Sequence, residues 1–215
     1  GGMYSQALAD INAVAGDLSA YQMDALNQQI KDLAAGTRYN ARDTAAAAEE
    51  LLKAGMSFED LTGGGLAGTL DLAAAGGLDL GRAAEVMAQG LAVFGDSMSA
   101  TDRDGDGYIS TLEKAAHFND VLAQSANTSM TDVSGLAESF ENAGGTLSAT
   151  GQDFETATTL LTAMSAFGTE GAEAGTALKS MTNGLIKNSD ALEDIGVQVF
   201  DAAGNYRDFI DIFED

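Results

Sequence analysis

Cysteine, proline and tryptophan are all absent from this chain of 215 residues, and histidine occurs once. Without cysteine there is no disulfide framework, no thiolate metal site and no thiol redox chemistry. Without proline, helices are interrupted only by glycine, of which there are 26, so long helical stretches form at little cost. The lone His117 lies between Ala116 and Phe118, where packing against a core or plain exposure accounts for it better than catalysis does. Basic residues are scarce: 10 Lys+Arg face 33 Asp+Glu, a net charge of −23. Such a surface repels phosphates and anionic lipid headgroups, which argues against nucleic acid and membrane surfaces as partners. No uncharged apolar run reaches the ~18 residues of a membrane-spanning helix. Gly1-Gly2-Met3 opens neither a basic region nor an apolar core, so a signal peptide is not expected. With 45% hydrophobic and 20% charged residues, the composition is that of a folded protein rather than an acidic tail.

Against that background one stretch is distinctive: Asp102-Arg103-Asp104-Gly105-Asp106-Gly107-Tyr108-Ile109-Ser110-Thr111-Leu112-Glu113. It fits the twelve-residue EF-hand calcium loop. Asp102, Asp104 and Asp106 fall at positions 1, 3 and 5, so alternate side chains can turn onto one cation. Gly107 takes position 6, where the backbone turns sharply and a Cβ obstructs. Tyr108 would offer its carbonyl, Ser110 a hydroxyl or a bridging water, and Glu113 a bidentate carboxylate. Ile109 at position 8 would anchor the loop to a core. Four carboxylates this close repel one another unless a cation sits among them. A hard ion with six to eight oxygen ligands suits the set, which favours Ca²⁺ over Mg²⁺ and excludes zinc. Ser110-Thr111-Leu112-Glu113 also reads as a capping box, giving Glu113 two roles, ligand and cap partner. No second loop of this kind is present.

The rest reads as helix after helix. Apolar residues recur at helical spacing through Leu8, Ile11, Val14 and Leu18, then Met23, Leu26, Ile30 and Leu33. Gly16, Gly36, Gly55 and Gly95 mark stops, while Asn40, Ser57 and Asp79 mark starts. Gly63-Gly64-Gly65 lacks the Gly-Lys-Ser/Thr of a phosphate loop and reads as a flexible or tightly packed turn. An exiting helix is predicted over 112–126. Further helices run from Thr131 to Gly144-Gly145, from Asp153 to Phe167, from Thr169 past Ile186, and briefly at 190–193. Gly171 and Gly175, four apart, would let two helices approach closely. Val197-Gln198-Val199 then alternates, Asp201 to Asn205 is turn chemistry, and Tyr206-Arg207 would return, predicting a small β-hairpin near 197–207. The last residues are helical again. The expected class is all-α, a stacked helix-turn-helix bundle or solenoid-like array carrying that one hairpin.

The order of these pieces resembles the core region of tailed-phage tail tape-measure proteins. The most telling residues are Ala174-Gly175-Thr176-Ala177-Leu178-Lys179-Ser180-Met181. They are followed by Gly196-Val197-Gln198-Val199-Phe200-Asp201-Ala202-Ala203-Gly204 and by Arg207-Asp208. Ala7-Leu8-Ala9-Asp10, 51–57 and 131–136 look similar to further landmarks of the family. The resemblance covers nearly the whole chain. It implies a single helical core module over 1–215, a fragment of a longer chain, acting as a virion structural protein. Such proteins occupy the lumen of the phage tail, their length sets tail length, and they leave at the host envelope during DNA delivery. Implied partners are tail-tube and tail-tip proteins or other tape-measure copies, in an oligomeric virion assembly.

Two departures stand out. The family usually passes directly from the helix ending near Phe94-Gly95 to that containing Phe118, so 96–118 reads as a calcium-binding insertion. Lys187-Asn188-Ser189 stands where a proline is common. The calcium expectation therefore rests on the residues themselves. Its competitor is a calcium-dependent protein-binding module, in which the ion exposes an apolar groove; a lone loop without a nearby methionine cluster favours it less. An enzyme is not expected.

Overall fold

The computed structural model describes residues 2–215. Helix accounts for 72% of the chain and no strand or sheet forms among the described residues, so the class is all-α. The residues divide into two compact units. The first runs to Ala92 and adds Ala100–Asn119; the second is Val93–Ser99 together with Asp120–Asp215.

The first unit begins with α1 (Gly2–Ala15), α2 (Ala20–Gly36) and α3 (Ala41–Lys53), with α1 and α2 both resting on α3. Thr44, Ala45, Ala47 and Ala48 make that possible: small, buried side chains let neighbouring helices approach Leu51, Ile11, Leu26 and Ile30. Ser19 and Gln22 form a capping box at the start of α2, and Asn40 caps α3 through the Asp43 amide at 2.8 Å. Next comes a helix that changes its winding. It is α4 (Phe58–Asp60), a π-wound segment Leu61–Gly65, and α5 (Leu66–Gly76). The expected turn at Gly63-Gly64-Gly65 is instead a kink within this helix, at Gly64, whose φ of 139° suits glycine alone. α6 (Leu80–Phe94) and α7 (Thr111–Thr128) follow, each contributing residues to both units. In the first unit Phe118 of α7 lies over Gly90 of α6, where a Cβ would come within 2.3 Å of the ring.

The second unit holds α8 (Val133–Ala149), α9 (Phe154–Ala166), α10 (Gly171–Lys187), α11 (Ser189–Asp194) and α12 (Phe209–Glu214). Asp132 and Asp153 cap α8 and α9 through the Gly135 and Thr156 amides. Helix α8 does not stop at Gly144-Gly145 as expected. It runs on to Ala149, because Gly144 faces the Phe94 ring and serves close packing, not termination. Phe94, Phe140 and Phe154 form a three-ring cluster, with centroids 5.5 to 5.8 Å apart. The expected close approach at Gly175 is present: a Cβ there would lie 2.4 Å from the Ser139 carbonyl oxygen. The buried Ser139 hydroxyl donates to the Gly171 carbonyl at 2.7 Å, joining α8 to α10. Gln152, also buried, donates to the Arg207 carbonyl and accepts from the Phe209 amide, which ties down the start of α12.

One expectation needs correction. No β-hairpin forms at 197–207; there is a single antiparallel bridge, Phe200 to Tyr206. The Asp201 carboxylate accepts the Ala203 and Asn205 amides and closes the turn. By Asp208 the chain is already capping α12 through the Ile210 amide, which leaves no length for a ladder. Within the units, α1 packs chiefly on α3 and α8 on α10.

Candidate metal centre

The acidic loop lies in the first unit, ahead of α7. An EF-hand is flanked by two helices, but here only the exiting one is adjacent. Helix α6 ends at Phe94, and residues 98–110 are irregular. Left-handed backbone at Gly105 (φ 77°) and Gly107 (φ 84°) folds the loop back on itself, with Gly107 at the position foreseen for it.

That folding brings Asp102, Asp104 and Asp106 together, each offering a carboxylate oxygen within 4.8 Å of the others. Asp102 is half-buried and organises the turn, accepting the Gly105 amide at 2.6 Å and the Gly107 amide at 2.9 Å. Asp104 accepts the Asp106 amide and Asp106 the Tyr108 amide. Glu113 stands apart from the three. It is only 7% exposed and accepts the Arg103 amide at 2.5 Å, the Ser110 amide at 2.8 Å and the Ser110 hydroxyl at 2.9 Å. The Ser110 hydroxyl accepts the Glu113 amide in turn, completing the expected capping box. Of the six residues proposed as ligands, then, three converge, Ser110 and Glu113 bond to each other, and Tyr108 exposes its side chain. Ile109 is half-buried, and His117 is half-buried on α7.

The electrostatics follow from these bonds. The Gly107 amide, then that of Gly105, holds the Asp102 carboxyl below its ordinary pKa. The Ser110 and Arg103 amides do the same for Glu113. At Asp104 the Asp106 amide is the largest influence and lowers the pKa. Desolvation, the charges of Asp106 and Glu113, and the bond to Asp102 together outweigh it, so Asp104 titrates above its ordinary value. The loop thus concentrates negative charge that its own amides only partly compensate. The three carboxylates that converge offer oxygen alone, a donor type that suits a hard, oxygen-preferring ion.

A seat for α7, which motif reading did not find, supports the loop from outside. A Cβ on Gly64 would lie 2.4 Å from Leu112 Cα, and one on Gly68 2.6 Å from Ala115 Cβ. The Thr111 hydroxyl donates to Asp60 at 2.7 Å, and Asn119 donates to the Gly68 carbonyl. The signal was present as two glycines four residues apart, a spacing that lets helices close up.

A family model described as phage-related minor tail protein matches residues 27–215, most of the chain. The chain belongs to this family. It is 27% identical over 209 residues to the "Tape measure protein" of Pneumococcus phage Dp-1, an alignment covering 95% of this chain and 17% of that relative. No solved structure matches. Family membership makes the chain a structural protein of the phage tail. No helix among its described residues is long and apolar enough to cross a membrane. Neither the family's description nor the relative's name mentions a metal, so the ion is argued from this chain's residues.

Proposed function

We propose that this chain is one module of a tail tape-measure protein, with both compact units belonging to it, and that a Ca²⁺ ion in the loop 102–113 stabilises the first unit. The observation that carries the tape-measure reading is the likeness to a protein of that name along 95% of the chain. The parent protein lies in the tail lumen, helps set tail length, and is released at the host envelope as DNA leaves. Tail-tube and tail-tip proteins or further copies of itself are its partners. A net charge of −23 keeps it from adhering to outgoing DNA. The role is mechanical and calls for no catalysis.

The calcium reading is carried by the convergence of Asp102, Asp104 and Asp106 around a left-handed Gly107. Asp102, Asp104 and Asp106 supply side-chain oxygens, Tyr108 its carbonyl, and Ser110 a hydroxyl or a water. Glu113 turns from the Arg103 and Ser110 amides to the ion.

Two experiments test the reading. In-frame deletion of the module from its phage gene should give shorter tails in electron micrographs, by at most about 1.5 Å per residue removed; tails of unchanged length contradict the measuring role. Melting the purified chain with Ca²⁺ and with EDTA should give separated curves, and coincident curves contradict the structural ion.

A further inference from the structure

We infer that the glycine seat at Gly64 and Gly68 positions the first turn of α7 and thereby sets the calcium affinity of the loop. This rests on the calcium reading above and deepens it, because none of the seat residues lies in the loop.

The geometry runs from the kinked helix to the ion. Gly64 sits where the π-wound segment breaks, and its missing side chain is replaced by the backbone of Leu112. A Cβ there would lie 2.6 Å from the Leu112 nitrogen, so contact is with main chain, which cannot swing aside as a flexible side chain can. One turn on, Gly68 meets the Cβ of Ala115, a methyl with no rotamer to swing aside. Asp60 holds the Thr111 hydroxyl at one end of the contact, and Asn119 reaches the Gly68 carbonyl at the other. Leu112 is 54% exposed, so the docking of this turn is made by backbone fit rather than by burial of that residue.

The consequence falls on Glu113, the residue after Leu112 and the only proposed carboxylate ligand borne by α7. Its side chain is held to the Arg103 and Ser110 amides, and it can exchange them for the ion only from a backbone position the seat defines. Asp102, Asp104 and Asp106 already converge through the loop's own amides. The last ligand is therefore placed by a different part of the fold from the first three. A ligand held in place before binding need not be ordered on binding, which raises affinity. Linkage makes the effect reciprocal: the ion must tighten the seat as much as the seat favours the ion.

The test uses Tb³⁺ as the probe, sensitised through Tyr108 within the loop, with Ca²⁺ as competitor. Gly68→Ala is the informative variant. Position 68 is helical, and alanine there is intrinsically preferred over glycine, so any loss comes from pushing α7 away. Gly64→Ala adds backbone strain and is expected to weaken binding further. Gly68→Ala should weaken Tb³⁺ and Ca²⁺ binding by roughly tenfold. In the unaltered chain, Ca²⁺ should slow amide exchange at 61–68, residues that hold no ligand. Unaltered affinity in Gly68→Ala, or Ca²⁺-independent exchange at 61–68, overturns the inference while leaving the calcium reading intact. Absence of binding by the unaltered chain sinks both.

Discussion

The first and second units solve the same problem, holding helices together without proline or disulfides, by different means. The second closes on three aromatic rings and on buried polar bonds such as Ser139 to Gly171, contacts complete within the chain. The first packs alanine and leucine around α3, then carries a loop whose carboxylates gather without a cationic side chain among the proposed ligands. Aromatic packing saturates its own interactions, whereas gathered carboxylates repel one another and are held together by main-chain amides. If the loop binds Ca²⁺ as proposed, the ion should stabilise the first unit and not the fold at large.

The sharpest way to break that contrast is to damage the second unit and look for a change in the first. Phe154→Ala removes a fully buried ring and should cost about 3–5 kcal/mol. Urea denaturation followed by circular dichroism reads this, and the stabilisation by Ca²⁺ should survive it. Next in size is the ion itself. At a free Ca²⁺ concentration a hundred times its Kd, the gain is about 2.7 kcal/mol. Amide exchange should slow across 100–119 and stay unchanged across 133–187. Protection gained equally in both regions would dissolve the contrast. Ser139→Ala strands the Gly171 carbonyl in a buried contact and should cost about 1 kcal/mol, with no effect on Ca²⁺ affinity.

The pH response without metal should be the smallest effect, and its sign differs between residues. Asp102 and Glu113 have lowered pKa values in the fold, so their contribution is full above their unfolded pKa and is lost as pH falls through the folded one. Asp104 is raised and acts oppositely: its charged form is disfavoured at neutral pH, and protonation relieves it. With metal, all must be deprotonated, so Ca²⁺ affinity measured calorimetrically should fall as pH drops through the raised pKa of Asp104, with protons released on binding.

Much of this was legible in the sequence, for identifiable reasons. The helices were, because Ser, Asn and Asp at their starts and apolar spacing along them are local signals. Asn40, Ser57 and Asp79 all cap where expected. The meeting of three aspartates was legible because loop spacing and Gly107 dictate it within a few residues. Glycine misled where its role depended on distant residues. Gly144 and Gly64 look like breaks, yet one faces Phe94 and the other the backbone of Leu112, partners far along the chain. The hairpin failed for a similar reason. Gln152, more than fifty residues upstream, holds Arg207 and Phe209 and commits the chain to α12 before the Phe200–Tyr206 bridge can extend into a ladder. The arrangement of Glu113 is intermediate: its cap to Ser110 is local and was foreseen, while its bond to the Arg103 amide was not.

The most direct test of the central claim is a calorimetric titration of Ca²⁺ into the purified chain and into its Asp102→Ala variant. The expected result is saturable binding of one ion per chain, abolished by the substitution. Absence of saturable heat, or an isotherm that Asp102→Ala leaves unchanged, would contradict it.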